Sequence, residues 1–137
     1  MLKELVIGAQ SIGAAGASAL SEALKVNKVL KELSLTGNPL GDAGAVVLAG
    51  ALRVNNALTV LDVRSCSIGT EGGKAIAEAL EVTGGAGKLL ELTLMGNTIG
   101  DAGIAAIGKV LRANAITAPH LQAQKGRGSA RVAAAWG

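Results

Sequence analysis

Few residues of this 137-residue chain carry side chains that could catalyse a reaction or hold a metal ion. The chain has one cysteine, Cys66, and one histidine, His120, which are more than fifty residues apart. A zinc site needs three or four such ligands, and a nucleophilic thiol needs a base beside it. The sequence therefore predicts no metal site, no cofactor and no catalytic cysteine. Two interpretations of Cys66 remain open: a reactive thiol, or a buried thiol that is inert.

Two further patterns could suggest catalysis but do not meet its requirements. The glycine-rich segment 84–88 ends in a lysine, as a phosphate-binding loop does, but that motif needs glycine at Val82 and serine or threonine at Leu89. Glu78 and Glu81 form a carboxylate pair on the outer face of a predicted helix. Carboxylates in such a place are solvated and lack the burial that a general acid or base needs. We therefore expect a protein that is not an enzyme.

Composition restricts the kind of core that the chain can build. Half of the residues are hydrophobic, yet Trp136 is the only aromatic residue, so the core must consist of Leu, Ile, Val and Ala. Such a composition indicates many small, similar packing units in one domain. The longest apolar stretches are about ten residues, short of the roughly 20 that cross a bilayer. The first residues lack the pattern of a signal peptide, and one cysteine agrees with a reducing compartment, so we expect an intracellular, cytoplasmic location.

The residues repeat with a period of 28. Leu2, Leu30 and Leu58 occupy equivalent places, and a fourth copy begins at Leu89 after 31 residues. The three extra residues fall in the glycine-rich segment 83–87, which we interpret as a longer loop. A fixed period of this length is typical of a solenoid. The sequence predicts a repeat domain over residues 1–116, with units starting near 2, 30, 58 and 89.

Each unit reads as a strand followed by a helix. In the second unit Leu33 and Leu35 alternate with Ser34, as in a half-buried strand. The helix starts are marked by glycine and a capping residue, and apolar residues then recur at spacings of three and four. The capping pairs are Gly41-Asp42, Gly69-Thr70 and Gly100-Asp101.

These units resemble the 28-residue repeats of ribonuclease-inhibitor-like leucine-rich-repeat proteins, especially those of NOD-like receptors. The resemblance covers about residues 2–114 and is carried by four copies of L-x-x-L-x-L-x-x-N or a close variant, and by segments 23–28 and 96–103. It implies an α/β solenoid, a horseshoe segment of about four βα repeats with a parallel sheet on the concave side and helices on the convex side. It also implies a ladder of inward-turned side chains after the strands, at Gln10, Asn38, Cys66 and Asn97.

The residues that alternate with the buried strand leucines should point to the concave side, and we call this surface the concave face. It is the candidate binding surface for a protein partner, and Arg64 is the best single candidate, because arginine is enriched among residues that dominate binding energy. The alternative is a solvated face without a partner. The candidate residues are Glu32, Ser34, Thr36, Asp62, Arg64, Glu91, Thr93 and Met95, with Glu4, Val6, Gly8 and Val60 beside them.

Both ends of the array lack the polar units that usually cap a solenoid. The first strand begins at Leu2, and a fifth unit would start near Thr117, where polar residues replace the leucines. Either the chain is a piece of a longer array, or another protein or a second copy covers its ends in an assembly.

Residues 117–137 are expected to form an irregular tail. From Arg112 onward there are four basic residues and no acidic ones, whereas the body has nine basic and ten acidic residues. A solvated tail and a tail that contacts nucleic acid are both open. The predicted function is a protein-interaction scaffold. The alternatives are a GTPase-activating regulator resembling Ran GTPase-activating proteins, a nucleic-acid-associated subunit, and a ligand-sensing fragment of a NOD-like receptor.

Overall fold

Four βα units follow one another in the computed structural model, which describes residues 2–82, 89, 91–114, 122–123 and 131–133. Each unit contributes one three-residue strand and one helix of 12 to 15 residues. The alternation confirms the predicted solenoid. The elements are β1 (Glu4–Val6), α1 (Ala14–Val26), β2 (Glu32–Ser34), α2 (Gly41–Leu52), β3 (Val60–Asp62), α3 (Thr70–Val82), β4 (Glu91–Thr93) and α4 (Gly100–Asn114).

The four strands form a parallel sheet in chain order, and the repeat sets their register. Leu5 lies opposite Leu33, which lies opposite Leu61, which lies opposite Leu92. Equivalent residues of successive units therefore stand side by side, and each helix packs against the next. Because strands are about 4.8 Å apart while helices need roughly 8 to 10 Å, the strand side of such a stack is the concave one.

The sheet continues into the segment that the sequence predicted to be irregular. Two short strands, β5 (Gln122–Ala123) and β6 (Arg131–Ala133), extend it, with β6 antiparallel to β4 and β5 antiparallel to β6. The prediction is wrong for these five residues, because an open strand edge can pair with almost any extended backbone. The glycine-rich loop, His120 and Trp136 lie outside the described residues.

The core fills the layer between the sheet and the helices. Leu33, Leu61 and Leu92 of β2, β3 and β4, and Leu35 directly after β2, are fully buried, and each such leucine contributes about 1.5 to 3 kcal/mol. Leu20 of the first helix is only partly buried, and the inward stripe predicted for that helix fails at Ala23, which is exposed. Among the described residues the first unit packs against one neighbouring unit only.

Glycines near the helix starts let neighbouring helices approach closely. A Cβ atom at Gly72 would lie 2.8 Å from the Cβ of Ala45, and one at Gly44 would lie 3.3 Å from the Cβ of Ala17. Both contacts are to the helix of the preceding unit. The missing side chains at these glycines therefore serve the packing of helix against helix.

Candidate functional site

Asn38 makes four side-chain hydrogen bonds, three of which connect the second unit to the first. Its Nδ2 donates to the carbonyl oxygens of Ile7 at 2.7 Å and Leu35 at 2.9 Å. Its Oδ1 accepts from the backbone N–H groups of Gln10 at 2.8 Å and Ile12 at 3.1 Å. The side chain is fully buried, and its amide satisfies backbone groups that the bend between strand and helix would otherwise leave unpaired.

Asn97 makes the same arrangement between the third and fourth units. Its Nδ2 donates to Val63 O at 2.8 Å and Leu94 O at 2.9 Å, and its Oδ1 accepts from the N–H groups of Cys66 at 2.9 Å and Ile68 at 3.0 Å. Each asparagine therefore connects its own unit to the preceding one through its side-chain amide. We call such a set of side-chain hydrogen bonds between neighbouring units a bracket.

Cys66 occupies the equivalent place between the second and third units. Its Sγ lies 3.2 Å from Leu35 O and 3.3 Å from Arg64 O, and the residue is fully buried. Burial raises the pKa of this thiol, outweighing backbone hydrogen bonds near Asn38 and Gly37 that lower it. A buried thiol that resists ionisation is a poor nucleophile.

Gln10 differs from the other members of the predicted ladder. Its side chain is exposed, and its Nε2 donates only to Gly8 O, at 3.2 Å. The ladder side chains of later units reach back to a preceding unit, and no described unit precedes the first. The prediction of an inward structural role is therefore wrong for the Gln10 side chain.

The units are of two alternating kinds. We call the second and fourth units asparagine units, and the residues with left-handed backbone angles in their bends are glycines. We call the first and third units serine units, and the residues with left-handed backbone angles in their bends are alanine or serine. Non-glycine residues in that region are uncommon, so the two kinds of bend differ in backbone as well as in side chain. The left-handed residues are Gly37, Gly41, Gly96 and Gly100 in the asparagine units, and Ala9, Ser11, Ser65 and Ser67 in the serine units.

Asp42 makes a second bracket, which the sequence did not predict. Its Oδ1 accepts hydrogen bonds from the backbone N–H groups of Gly69 at 2.7 Å and Gly72 at 3.0 Å. Asp42 was expected to cap its own helix, but α2 already begins at Gly41, and the carboxylate instead caps α3 in the next unit. The first N–H groups of a helix lack intrahelical partners, which makes them good donors to a carboxylate.

A third bracket, also missed, lies at the other end of the units. The Nδ2 of Asn55 donates to Leu24 O at 2.7 Å and Asn27 O at 3.1 Å, and its Oδ1 accepts from the N–H groups of Ala57 and Leu58. The available signal was the recurrence of asparagine at positions 27 and 55, one repeat period apart.

The concave face holds a groove of about 320 Å³. The structure brings together five of the eight predicted partner-binding residues there: Glu32, Ser34, Asp62, Arg64 and Glu91, beside Glu4, Val6, Leu33 and Val60. Thr36 is adjacent, with its Oγ1 3.1 Å from Ser34 Oγ. Thr93 and Met95 do not line the groove. Thr93 is buried, so its placement on an open face is wrong; β6 pairs alongside β4 at this residue.

Asp62 and Arg64, which both line this groove, form an ion pair. Arg64 Nη2 lies 2.7 Å from Asp62 Oδ2, Nε lies 2.9 Å from Oδ1, and the Arg64 N–H donates to Oδ1 at 3.1 Å. Burial alone would raise the pKa of Asp62, but the hydrogen bonds and charge of Arg64 outweigh it and hold that pKa below its ordinary value. The same bonds, with the charge of Glu91, raise the pKa of Arg64. The pair therefore presents a fixed guanidinium, nearly half exposed.

The described residues offer no arrangement for metal binding or for membrane insertion. Nowhere among them do three or more His, Cys, Asp or Glu side chains converge as metal ligands. Nor is any helix within those residues long and apolar enough to cross a bilayer.

A family model described as Leucine Rich repeat matches residues 26–49, 54–77 and 88–108, which together make up just over half of the chain. The chain belongs to the leucine-rich-repeat family. Two solved structures with similar folds are also leucine-rich-repeat domains. One is the leiomodin-1 actin-binding site 2, with a TM-score of 0.74 and 27% identity over 82% of this chain. The other is the tropomodulin C-terminal domain of Caenorhabditis elegans, with a TM-score of 0.71 and 20% identity over 82% of this chain.

The leucine-rich-repeat chain spans 65% of the leiomodin chain and 68% of the tropomodulin chain. A comparison with curated proteins finds no match to this sequence. At 20% identity the tropomodulin likeness establishes the fold alone.

Proposed function

We propose that this leucine-rich-repeat domain is a non-enzymatic interaction module that binds a protein partner through its concave face. The observation that carries the proposal is the groove of about 320 Å³ whose lining includes the Asp62–Arg64 ion pair. A partly exposed arginine held in one geometry by a neighbouring carboxylate loses little conformational entropy when it binds. It is therefore suited to act as an anchor for a partner.

The charge of the groove restricts the partner. Four carboxylates line it, those of Glu4, Glu32, Asp62 and Glu91, against the single guanidinium of Arg64. A surface of this sign attracts basic protein segments and repels the phosphates of nucleic acid. This favours a protein partner over the nucleic-acid alternative, for which the basic tail remains the only candidate.

Actin is the first specific partner to test. The leiomodin-1 structure, 27% identical, is named as an actin-binding site, and its likeness covers 82% of this chain. An actin-associated role agrees with the proposed cytoplasmic location. The 28-residue period supports membership of the ribonuclease-inhibitor-like subfamily, which we retain as part of the proposal, with the GTPase-activating and NOD-like-receptor roles as alternatives.

The test compares binding of purified actin by the full chain and by three variants. Arg64→Ala and Asp62→Ala remove the two halves of this ion pair, and Arg53→Ala removes an exposed arginine at the end of α2, away from the groove. We expect Arg64→Ala to weaken binding by about tenfold or more, as for a hot-spot residue, and Arg53→Ala to leave it unchanged.

This design tests the identity of the partner and the identity of the binding surface independently. If actin does not bind, the same four proteins serve as baits for affinity purification from the native source. A partner that is retained by wild type and Arg53→Ala but lost by both groove variants supports the concave face with another partner. Partners recovered equally by all four proteins would show that the groove is not the binding surface.

A further inference from the structure

Two valines project into solvent at the edge of the solenoid where the first two helices end. Val26 is the last residue of α1 and is 77% exposed, and Val54, one repeat period later, follows α2 and is 59% exposed. The helices α1 and α2 pack against each other, and Asn55 Nδ2 donates to Asn27 O at 3.1 Å, which joins the residues directly after the two valines. The valines therefore lie side by side on one edge.

Three basic side chains surround this valine pair, and all three are exposed. Lys25 and Arg53 directly precede the two valines, and Lys28 lies in the turn after α1. Lys25 pairs with Glu22 at 2.8 Å, but both side chains are well exposed, so this pair is weak. We call the whole patch the valine edge, and its members are Lys25, Val26, Lys28, Arg53 and Val54.

The valine edge belongs to the first two units only. In the third unit Glu81 stands at the position that Lys25 and Arg53 hold, so the sign of the charge reverses there. Basic residues at the ends of helices also interact favourably with the helix dipole, which accounts for Lys25 and Arg53 in part. It does not account for Lys28 or for the exposed valines.

The composition of the valine edge selects its partner. Protein interfaces are depleted of lysine, and valine is rare among the residues that dominate their binding energy. Single-stranded nucleic acids stack their bases on aromatic side chains, and Trp136 is the only aromatic residue in the chain. At a membrane surface, by contrast, aliphatic side chains enter between the lipid headgroups while lysine and arginine reach the anionic groups around them.

We propose that the valine edge is a docking surface for an anionic lipid membrane. Val26 and Val54 enter the headgroup layer, and Lys25, Lys28 and Arg53 lie against its negative charges. None of these residues lines the concave groove, so the lipid contact does not occupy the surface proposed for the protein partner. The two proposals are independent of each other.

The test measures how much of the full chain sediments with lipid vesicles of two compositions. One kind is phosphatidylcholine alone, and the other contains about one third phosphatidylserine. We expect the chain to sediment with the phosphatidylserine vesicles only. Binding should fall as sodium chloride is raised, because salt screens the attraction between basic side chains and headgroups.

Two variants of the valine edge test its charges and its apolar side chains separately. Lys28→Glu with Arg53→Glu should weaken vesicle binding by about tenfold or more, because each basic residue near an anionic surface adds to the attraction. Val26→Ser with Val54→Ser should weaken it by about fivefold or more, because serine buries less apolar area. All four residues are exposed, and urea unfolding checks that both variants keep the fold.

Matched controls make the same kinds of change elsewhere on the solenoid. Lys74→Glu with Lys109→Glu reverses two basic charges in α3 and α4. Val46→Ser with Ile104→Ser replaces apolar side chains of α2 and α4 that are 49% and 47% exposed. We expect both controls to bind phosphatidylserine vesicles as the unchanged chain does. The proposal is overturned if they weaken binding as much as the variants of the valine edge.

Other occupants and other surfaces have their own outcomes. The basic tail is tested by Lys125→Ala with Arg127→Ala, and a loss of binding in this variant alone would place the lipid contact in the tail and overturn the proposal. Equal binding to both kinds of vesicle, or to neither, also overturns it. Binding of poly-glutamate in place of vesicles would make an acidic protein segment the occupant instead.

Discussion

The carboxylate of Asp42 in the second unit accepts a 2.7 Å hydrogen bond from the backbone N–H of Gly69, the residue that precedes α3 in the third unit. A helix cap normally comes from the residue that begins the same helix. Here one unit caps the helix of the next. The junction between these units has the weak hydrogen-bonding thiol of Cys66 in place of an asparagine bracket, and Asp42 adds two hydrogen bonds from a charged side chain to it.

Replacing Asp42 should weaken this junction. We expect Asp42→Ala to lower the free energy of unfolding by about 1 to 2 kcal/mol, as for the loss of a helix cap. Asp101 holds the equivalent position in the fourth unit, where no described helix follows for its carboxylate to cap, and Asp101→Ala should cost less than half as much. Urea unfolding of the two variants measures the difference, and equal losses would contradict the cross-unit cap.

Removing the Asn38 amide should be more damaging. Asn38→Ala removes a side-chain partner from two backbone N–H groups and from the carbonyl oxygens of Ile7 and Leu35, of which Leu35 O keeps the Cys66 thiol, and we expect a loss of about 3 kcal/mol or more. Asn56 is exposed, so Asn56→Ala should change the unfolding free energy by less than about 0.5 kcal/mol. A loss below about 1 kcal/mol for Asn38→Ala would show that water replaces the amide.

Ser21 offers a stabilising substitution. Its hydroxyl is buried and has no hydrogen-bond partner among the described residues, and alanine stands at the equivalent positions 49 and 77. Because burying an unpaired hydroxyl costs about 1 to 3 kcal/mol, Ser21→Ala should raise the free energy of unfolding by about 1 kcal/mol. Thermal unfolding checks this, and a lower midpoint would mean that Ser21 has an undetected partner.

The close approach of helices predicts that alanine substitutions at two glycines change the stability in opposite directions. A Cβ at Gly72 would lie 2.8 Å from both Ala45 Cβ and Asp42 Oδ1, whereas one at Gly50 in α2 would meet nothing within 4 Å. Gly72→Ala should therefore destabilise by about 1 to 3 kcal/mol, and Gly50→Ala should stabilise by up to about 1 kcal/mol. Chemical denaturation of both variants gives the sign of each effect.

The ion pair on the concave face predicts that the stability of the fold changes with pH in the acidic range. The pKa of Asp62 is lowered in the folded chain, so its stabilising effect is present above the unfolded pKa and lost as pH falls through the folded one. Asp62→Asn should therefore lose less stability than wild type on acidification below about pH 4. Parallel slopes for the two proteins in that range would indicate that the pair adds nothing to stability.

The period of 28 residues was enough to predict the number of units, the strand–helix order and the buried leucines. Identical spacing in each unit requires identical packing, so the positions of Leu33, Leu61 and Leu92 in neighbouring strands follow directly from the sequence. The candidate site was predicted in part. Alternation along a strand places Asp62 and Arg64 on one face, but it does not show that their side chains bind each other.

Other features depended on the fold because they involve atoms from different units. The bond from Gly69 to Asp42 joins residues 27 apart, and the burial of Thr93 accompanies the pairing of β6 with β4. The residue pattern of one unit says which side chains face inward, since that depends on local backbone geometry. It does not say which backbone donor of the next unit comes within 3 Å, because that distance is set by how the units stack.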